Sequence, residues 1–346
     1  MYELAKKVIF KFDPEDMHNL TIKALKTQRF LKVIDYKKTY KNLENELFGM
    51  KFSNPVGLAA GFDKNAEVVS PLANLGFGFI EVGAITPKAQ AGNPRPRIER
   101  LVDEQSIRNA MGFNNDGVEI AKANLMRENF SKLPPIFINI GKNKVTPNEE
   151  AINDYEILVR ELKPYADAFV INISSPNTPN LRDLQNAEFI ENIFKRLNAI
   201  NDVPKFIKFA PDMDFGLATE LALTALENNA TGVILSNTTQ DYSLSKKSDL
   251  TKVGGLSGKV LANKSLDMLK AIAPSIHKKG VIISSGGIFD GAQAYERIKW
   301  GASLVQVYTA MIFNGPRVAR NINDELTKLL QNDGLSSIKE ATGVEL

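Results

Sequence analysis

Residues 168–179 read Ala-Phe-Val-Ile-Asn-Ile-Ser-Ser-Pro-Asn-Thr-Pro. The first half is a short continuous apolar run, the pattern of a strand buried on both faces. The second half is turn chemistry, because Asn, Ser and Pro each favour turns. The chain repeats this unit. Eight such runs occur: Val56–Ala60, Phe77–Ala84, Ile136–Gly141, Ala168–Ser174, Lys205–Ala210, Gly232–Ser236, Val281–Ser285 and Ser303–Tyr308. Helical stretches are expected after them at 65–75, 114–129, 148–162, 186–200, 215–228, 260–273, 290–299 and 316–331. Eight near-equal strand–helix units predict an α/β fold, specifically a closed (β/α)8 TIM barrel. A doubly wound sheet fits less well, since eight units would be unusually many. No Gly-x-Gly-x-x-Gly follows the first strand either. The connections 85–113 and 237–259 are long enough to suggest function.

Outside these units lies the N-terminus. Residues 1–34 read as two short helices, with Asp13-Pro14-Glu15-Asp16 as the restart. Asp13 suits a cap, Pro14 the first helical position, and the two acids the positive end of the helix dipole. Residues 1–42 carry ten Lys+Arg against five Asp+Glu, a net +5, while the remainder nets −2. The division expected is a helical segment over 1–42 and a catalytic barrel over 43–346.

Composition narrows the chemistry. The chain has 346 residues, 43% hydrophobic and 24% charged, which is ordinary globular usage and excludes a disordered, fibrous or integral-membrane protein. No apolar run reaches the length of a membrane span. Cysteine is absent, which excludes disulfides, Fe–S clusters and thiolate bases. With only His18 and His277, neither near a strand end, metal sites and Ser-His-Asp relays are disfavoured. A glycosidase wants two carboxylates at the mouth, and Asp63 and Asp212 are the weak candidates.

In a barrel of this type the chemistry sits where strands end. Those ends carry Ala60-Gly61-Phe62-Asp63-Lys64, Asn139 with Lys142, Asn172 through Pro179, Lys208, Ser236-Asn237-Thr238, Gly286-Gly287 and Tyr308-Thr309. Each alone has a bland reading: a solvated lysine, a turn, a tight corner. Together they form a mouth rich in amide, ammonium and hydroxyl groups, suited to a ligand with many acceptors. Glycines on the last two strands match the phosphate site of this fold. A planar ring with a phosphate tail, such as flavin mononucleotide, fits better than a metal.

These residues resemble a family. Gly57-Leu58-Ala59-Ala60-Gly61-Phe62-Asp63-Lys64, Met111-Gly112-Phe113-Asn114-Asn115, Asn172–Pro179 with Leu181-Arg182, Gly254–Gly258 and Gly301–Tyr308 are similar to dihydroorotate dehydrogenase. Ser175 and the helical extension resemble its quinone-using class 2, whereas class 1 relatives use a cysteine base that this chain lacks.

The resemblance implies an oxidoreductase of pyrimidine biosynthesis that converts dihydroorotate to orotate. One FMN per chain takes the hydride and a membrane quinone is the second substrate. Ser175 is then the base, with Thr178 on its proton route and Phe113 screening the site. Lys64, Asn109, Met111, Gly112, Phe113, Asn172, Asn177, Asn237 and Thr238 bind substrate. Ala60, Gly61, Lys64, Ala84, Asn139, Asn172, Lys208, Ser236, Gly258, Gly287, Tyr308 and Thr309 bind the flavin, Lys208 stabilising charge that develops on it. His18, Arg100 and Tyr308 line the quinone path.

Three positions depart from the family pattern. Ala84 replaces a Ser or Thr, Arg108-Asn109-Ala110 replaces apolar-Asn-Arg, and Asn180 replaces a glycine. The N-terminal helices read either as a peripheral membrane contact, the expectation adopted, or as a basic, solvated pair capping the barrel. The lack of a targeting segment favours the cytoplasmic face of a bacterial membrane, and a monomer is expected, without nucleic-acid partners because the basic excess lacks interleaved aromatics. Deleting residues 1–35 is expected to impair quinone turnover and spare dihydroorotate oxidation. Alternatives are another FMN barrel with a different pyrimidine-like substrate or soluble acceptor, and a flavin- or lipid-binding scaffold without chemistry.

Overall fold

A computed structural model describes residues 2–31 and 34–346. The eight buried runs become β3 (Val56–Leu58), β4 (Phe79–Ile85), β7 (Ile136–Ile140), β8 (Ala168–Asn172), β9 (Lys205–Phe209), β10 (Gly232–Leu235), β12 (Val281–Ser285) and β13 (Leu304–Val307). They close into a barrel in the order β10-β12-β13-β3-β4-β7-β8-β9, with every pairing parallel. Because both faces of each strand are covered, these segments bury nearly every side chain and need no polar alternation.

The outer layer is α3 (Val69–Ala73), α4 (Val118–Leu125), α5 (Ala151–Leu162), α6 (Ala187–Asn198), α7 (Phe215–Glu227), α8 (Ala262–Ile276), α9 (Gly291–Lys299), α10 (Thr309–Asn314) and α11 (Val318–Asn332), with α12 (Ile338–Ala341) near the C-terminus. Side-chain caps fix several starts. Asn186, Asp214 and Asp290 accept from the backbone N–H groups of Phe189 (2.9 Å), Leu217 (3.0 Å) and Gln293 (2.8 Å).

Two small sheets were not expected from the sequence. β1 (Asn45–Leu47) and β2 (Met50–Phe52) form a hairpin at the N-terminal end of the barrel. It inserts Phe48 and Phe52 among Phe79, Phe137 and Phe206, plugging that end with aromatic rings. At the opposite end, β5 (Ile98–Leu101), β6 (Ser106–Asn109) and β11 (Gly255–Gly258) make an antiparallel sheet. Both long connections are therefore structured, and their strands pair with each other across the mouth. Gly254 makes the crossing possible: a Cβ there would stand 2.0 Å from the Asn109 carbonyl oxygen.

The N-terminal segment is α1 (Tyr2–Ile9) and α2 (Pro14–Leu31). The helical reading of 1–34 also takes in Met1, Lys32 and Val33, which lie outside the described residues. Asp13 Oδ1 accepts from the N–H groups of Glu15 (2.9 Å) and Asp16 (3.0 Å), as its place before Pro14 predicts. None of the side chains of α1 is buried. Leu4, Val8, Phe12 and Leu20 are between 55 and 70% exposed. Among the described residues no helix is long and apolar enough to cross a membrane.

Candidate active site

One cavity of about 530 Å³ opens at the C-terminal mouth of the barrel and continues beneath α1 and α2. Its wall brings together Ala60, Gly61, Lys64, Ala84, Asn109, Met111, Gly112, Phe113, Asn172, Ser175, Asn177, Lys208, Ser236, Asn237, Thr238, Gly258, Gly287, Tyr308 and Thr309. His18 and Arg100 line it from the N-terminal side. Asn139 and Thr178 are not on that wall; both are buried, and Asn139 accepts a hydrogen bond from Asn172, which is on it.

The floor is a buried polar network. Glu81, fully buried on β4, accepts from Asn139 Nδ2 (2.5 Å) and Gln306 Nε2 (2.6 Å) and lies 3.5 Å from Lys208 Nζ. Asn139 Oδ1 accepts from Asn172 Nδ2 at 3.0 Å, and Asn237 Nδ2 donates to Ser174 Oγ at 2.9 Å. Neither Glu81 nor Gln306 was singled out from the sequence. An acid inside Phe79-Ile80-Glu81-Val82 was the available signal, since a buried carboxylate requires partners.

Above the floor, Asn177 Nδ2 donates to Asn109 Oδ1 at 3.0 Å, joining the loop after β8 to the end of β6. Ser175 is buried, and its Oγ accepts from Asn177 N–H at 3.3 Å. Thr178 Oγ1, Asn177 Oδ1 and Gln306 Oε1 are buried without a hydrogen-bond partner among the described residues. Such groups are costly unless a ligand or water satisfies them. Phe113 packs on Gly141, where a Cβ would come within 2.8 Å of its ring.

Lys64 follows β3 and reaches the N-terminal segment, its Nζ 3.2 Å from His18 Nε2. Burial pushes the Lys64 ammonium down to about 8. Burial, reinforced by the Lys64 charge, pushes His18 down to about 3, so the imidazole is neutral and its Nε2 accepts a hydrogen bond from the lysine ammonium. His18 also packs edge-on against Phe62, which touches Tyr308. Arg100 donates to the Phe12 carbonyl (2.9 Å) and lies over the Phe10 ring.

The carboxylates at the mouth are already committed. Asp63 accepts from the Glu67 and Val68 N–H groups at 2.8 Å each, and burial raises its carboxyl to about 6. Asp212 is held by Arg182 and Lys264 at 2.9 Å each. Lys142 turns away to the Thr146 carbonyl. A two-carboxylate hydrolase site is thus not formed. Among the described residues no His/Cys/Asp/Glu cluster could hold a metal ion.

Glycines shape the far wall. Gly258 and Gly287 have φ of +96° and +74°, and a Cβ on them would come within 2.6 Å of Gln105 O and 2.3 Å of Ala262 Cα. Beneath Gly286 the buried Arg297 donates to neutral acceptors, the Gly286 and Ala262 carbonyls and the Ser265 and Ser284 hydroxyls. Bare backbone beside a buried guanidinium suits an anion such as a phosphate. The departures are accommodated. Asn180 adopts φ +55°, Arg108 pairs with Glu99 at 3.1 Å, and Ala84 leaves a wall position without a hydroxyl.

Fold and site together define a (β/α)8-barrel enzyme with a cationic, amide-rich mouth. The dihydroorotate dehydrogenase family model matches residues 42–330. Dihydroorotate dehydrogenase (quinone) of Sulfurimonas denitrificans is 48% identical over 350 residues, covering 99% of both chains. The protein of the same name from Nitratiruptor is 46% identical over 100% of this chain and 99% of its own. A crystal structure of dihydroorotate dehydrogenase from Eimeria tenella with ferulenol superposes with a TM-score of 0.88, at 35% identity and 96% coverage of both chains. The chain belongs to the dihydroorotate dehydrogenase family.

Proposed function

We propose that this chain oxidises dihydroorotate to orotate in pyrimidine biosynthesis and delivers the electrons to a quinone. One observation carries the reading. A single cavity joins the ammonium and amide groups around Ser175 to an apolar space under α1 and α2 lined by His18 and Arg100. A polar planar substrate and an apolar acceptor can therefore use the same chamber.

Bound flavin mononucleotide would supply the hydride-accepting and electron-transferring chemistry that dihydroorotate oxidation needs. The residues suited to hold it are Ala60, Gly61, Lys64, Ala84, Asn139, Asn172, Lys208, Ser236, Gly258, Gly287, Tyr308 and Thr309. The bare glycine wall supports a phosphate, and the unpartnered Gln306 Oε1 and the Lys208 ammonium support a ring with donors and acceptors.

Ser175 Oγ takes the C5 proton. Serine is a weak base, so the proton needs an onward acceptor, and the unpartnered hydroxyl of Thr178 is a group of the right kind. Phe113 screens the site from water. Asn109, Asn172, Asn177 and Asn237, with Thr238 and the backbone of Met111 and Gly112, offer the mixture of donors and acceptors that a pyrimidinedione edge and a carboxylate require. Lys64 supplies positive charge to the carboxylate. His18, Arg100 and Tyr308 serve the quinone. The exposed apolar face of α1 and α2 and its lysines hold the protein peripherally on the cytoplasmic face of the membrane.

The test is an anaerobic absorbance spectrum of the purified protein before and after dihydroorotate. Bleaching of a flavin band near roughly 450 nm is expected. A flavin band that persists would leave the barrel but remove the substrate.

A further inference from the structure

Asn93 lies in the connection between β4 and β5 and touches both stretches of the substrate pocket. Its backbone N–H donates to the Met111 carbonyl at 3.0 Å. Its side-chain Nδ2 donates to the Ala110 carbonyl at 3.0 Å and to the Asn177 carbonyl at 3.1 Å. The fit is close, since a Cβ on Gly112 would stand 2.9 Å from Asn93 Cγ. One amide therefore staples the Asn109–Phe113 stretch to the loop carrying Ser175 and Asn177.

Lys144 Nζ donates to Asn93 Oδ1 at 3.0 Å, and Arg97 holds the Asn93 backbone. Its Nη1 donates to the carbonyls of Asn93 (2.7 Å) and Ala91 (2.6 Å), and the Arg97 carbonyl accepts from Ala110 N–H at 2.8 Å. The other edge of the guanidinium faces the N-terminal segment. Nε lies 3.2 and 3.1 Å from the two carboxylate oxygens of Glu15, and Nη2 lies 2.7 Å from Oε1. Arg97 is 8% exposed and Glu15 6%, so this is a buried fork-on-fork ion pair. Outside it, Arg95 clasps Asp13 and Asp16 at the same helix start.

We propose that Asn93 and Arg97 are positioning residues for the substrate, and that Glu15 of the N-terminal helix is the counter-ion that keeps them in place. The docking of α2 and the binding of substrate then share one hydrogen-bonded chain: Glu15, Arg97, Asn93, Asn177. Removing the Glu15 charge leaves Arg97 buried without its counter-ion, which breaks such a pair rather than weakening it, whereas Glu15 is also met by Arg95 Nε at 3.3 Å. By linkage, substrate must in turn tighten the docking of α2. The segment that faces the membrane and quinone thereby reports on, and is reported to by, the substrate pocket. The inference rests on the placement of substrate against Asn109 and Asn177.

The test uses the full-length, FMN-loaded protein with orotate as the probe. Arg97→Lys keeps a charge opposite Glu15 but cannot also hold two carbonyls, and Glu15→Gln removes the charge. Orotate Kd is expected to rise about tenfold in Arg97→Lys and several-fold in Glu15→Gln, within the usual span of coupled sites. Flavin content stays unchanged, and KM for dihydroorotate rises more than kcat falls. Orotate is also expected to slow amide hydrogen exchange in residues 14–18 of the unmodified protein. A lowered unfolding midpoint with orotate Kd unchanged would make the chain purely structural and overturn the proposal, as would unaltered exchange in 14–18. Should Arg97→Lys fail to fold, Glu15→Gln and the exchange measurement still decide. Asn109→Ala separates the premise: an unchanged orotate Kd there removes the substrate placement and the coupling with it. A raised Kd in Asn109→Ala beside unchanged values in Arg97→Lys and Glu15→Gln removes the coupling alone.

Discussion

Glu81 holds its carboxylate 3.5 Å from the ammonium of Lys208 at the closed centre of the barrel. The acid is fully buried and the lysine nearly so, and Asn139 and Gln306 donate to the same carboxylate. Three donors converge on two oxygens, so no neutral side chain can replace Glu81. A glutamine would turn its NH2 group toward at least one donor and leave the Lys208 charge unpaired. Glu81→Gln is expected to destabilise the protein by about 3–5 kcal/mol, the range for breaking a buried pair. Chemical denaturation of both forms checks this, and equal midpoints would mean that water relieves the charge.

Ser175→Ala removes the proposed base with little disturbance, since Ser175 Oγ accepts a long bond of 3.3 Å from Asn177 N–H. Flavin content and orotate affinity are expected to persist. Flavin reduction by dihydroorotate should slow by about 10²–10⁴-fold, the usual span for a general base. Stopped-flow bleaching under anaerobic conditions measures it. A rate within a few-fold of the original would transfer the role to another group.

Lys64 gives the site a pH dependence with a defined sign. Its ammonium is held down to about 8 by burial, so the charge is complete below that pH and is lost above it. An anionic ligand prefers the charged form, so orotate binds most tightly below pH 8 and weakens by up to about tenfold per pH unit above it. His18, pushed down to about 3, stays neutral and contributes no titration of its own near neutrality. Orotate titrations across this range test the point. Lys64→Arg, whose charge persists, should flatten the profile.

The strands of the barrel were readable because a buried parallel strand is a continuous apolar run. Val281–Ser285 matches to the residue, and the other seven differ by one or two residues at one end or at both. The small strands were not readable. Asn45–Leu47, Ile98–Leu101 and Gly255–Gly258 are three or four residues long, mixed in character, and paired with distant or reversed partners. The same division holds in the site. Lys64, Asn172, Ser175 and Lys208 announce themselves at strand ends. Glu81 is hidden inside an apolar run, and Asn93 and Arg97 sit in a Pro-rich loop whose importance comes from tertiary contacts. Glu15 is the sharpest case. By sequence it is a helix-dipole acid, and in the fold it neutralises a buried arginine. The expectation that deleting residues 1–35 spares dihydroorotate oxidation changes accordingly, because the deletion strands the Arg97 charge.

The outward face of the N-terminal segment lets the proposed membrane docking be tested apart from that internal role. Leu4, Val8, Phe12 and Leu20 project from α1, α2 and their connection, each more than half exposed, and none serves the barrel core. Lys7, Lys11 and Lys23 are exposed on the same segment. Fully burying one large apolar side chain is worth about 1.5–3 kcal/mol, and each lysine near an anionic surface about 1 kcal/mol. Val8→Ser with Phe12→Ser should thus lower partition onto anionic vesicles by at least about tenfold. Both side chains lie outside the Glu15–Arg97 pair, so orotate affinity and flavin reduction by dihydroorotate should not move. Sedimentation with vesicles at low and high salt separates the apolar from the charged contribution, because salt screens only the latter. Unchanged partition in the double variant would place the membrane contact on another face of the molecule.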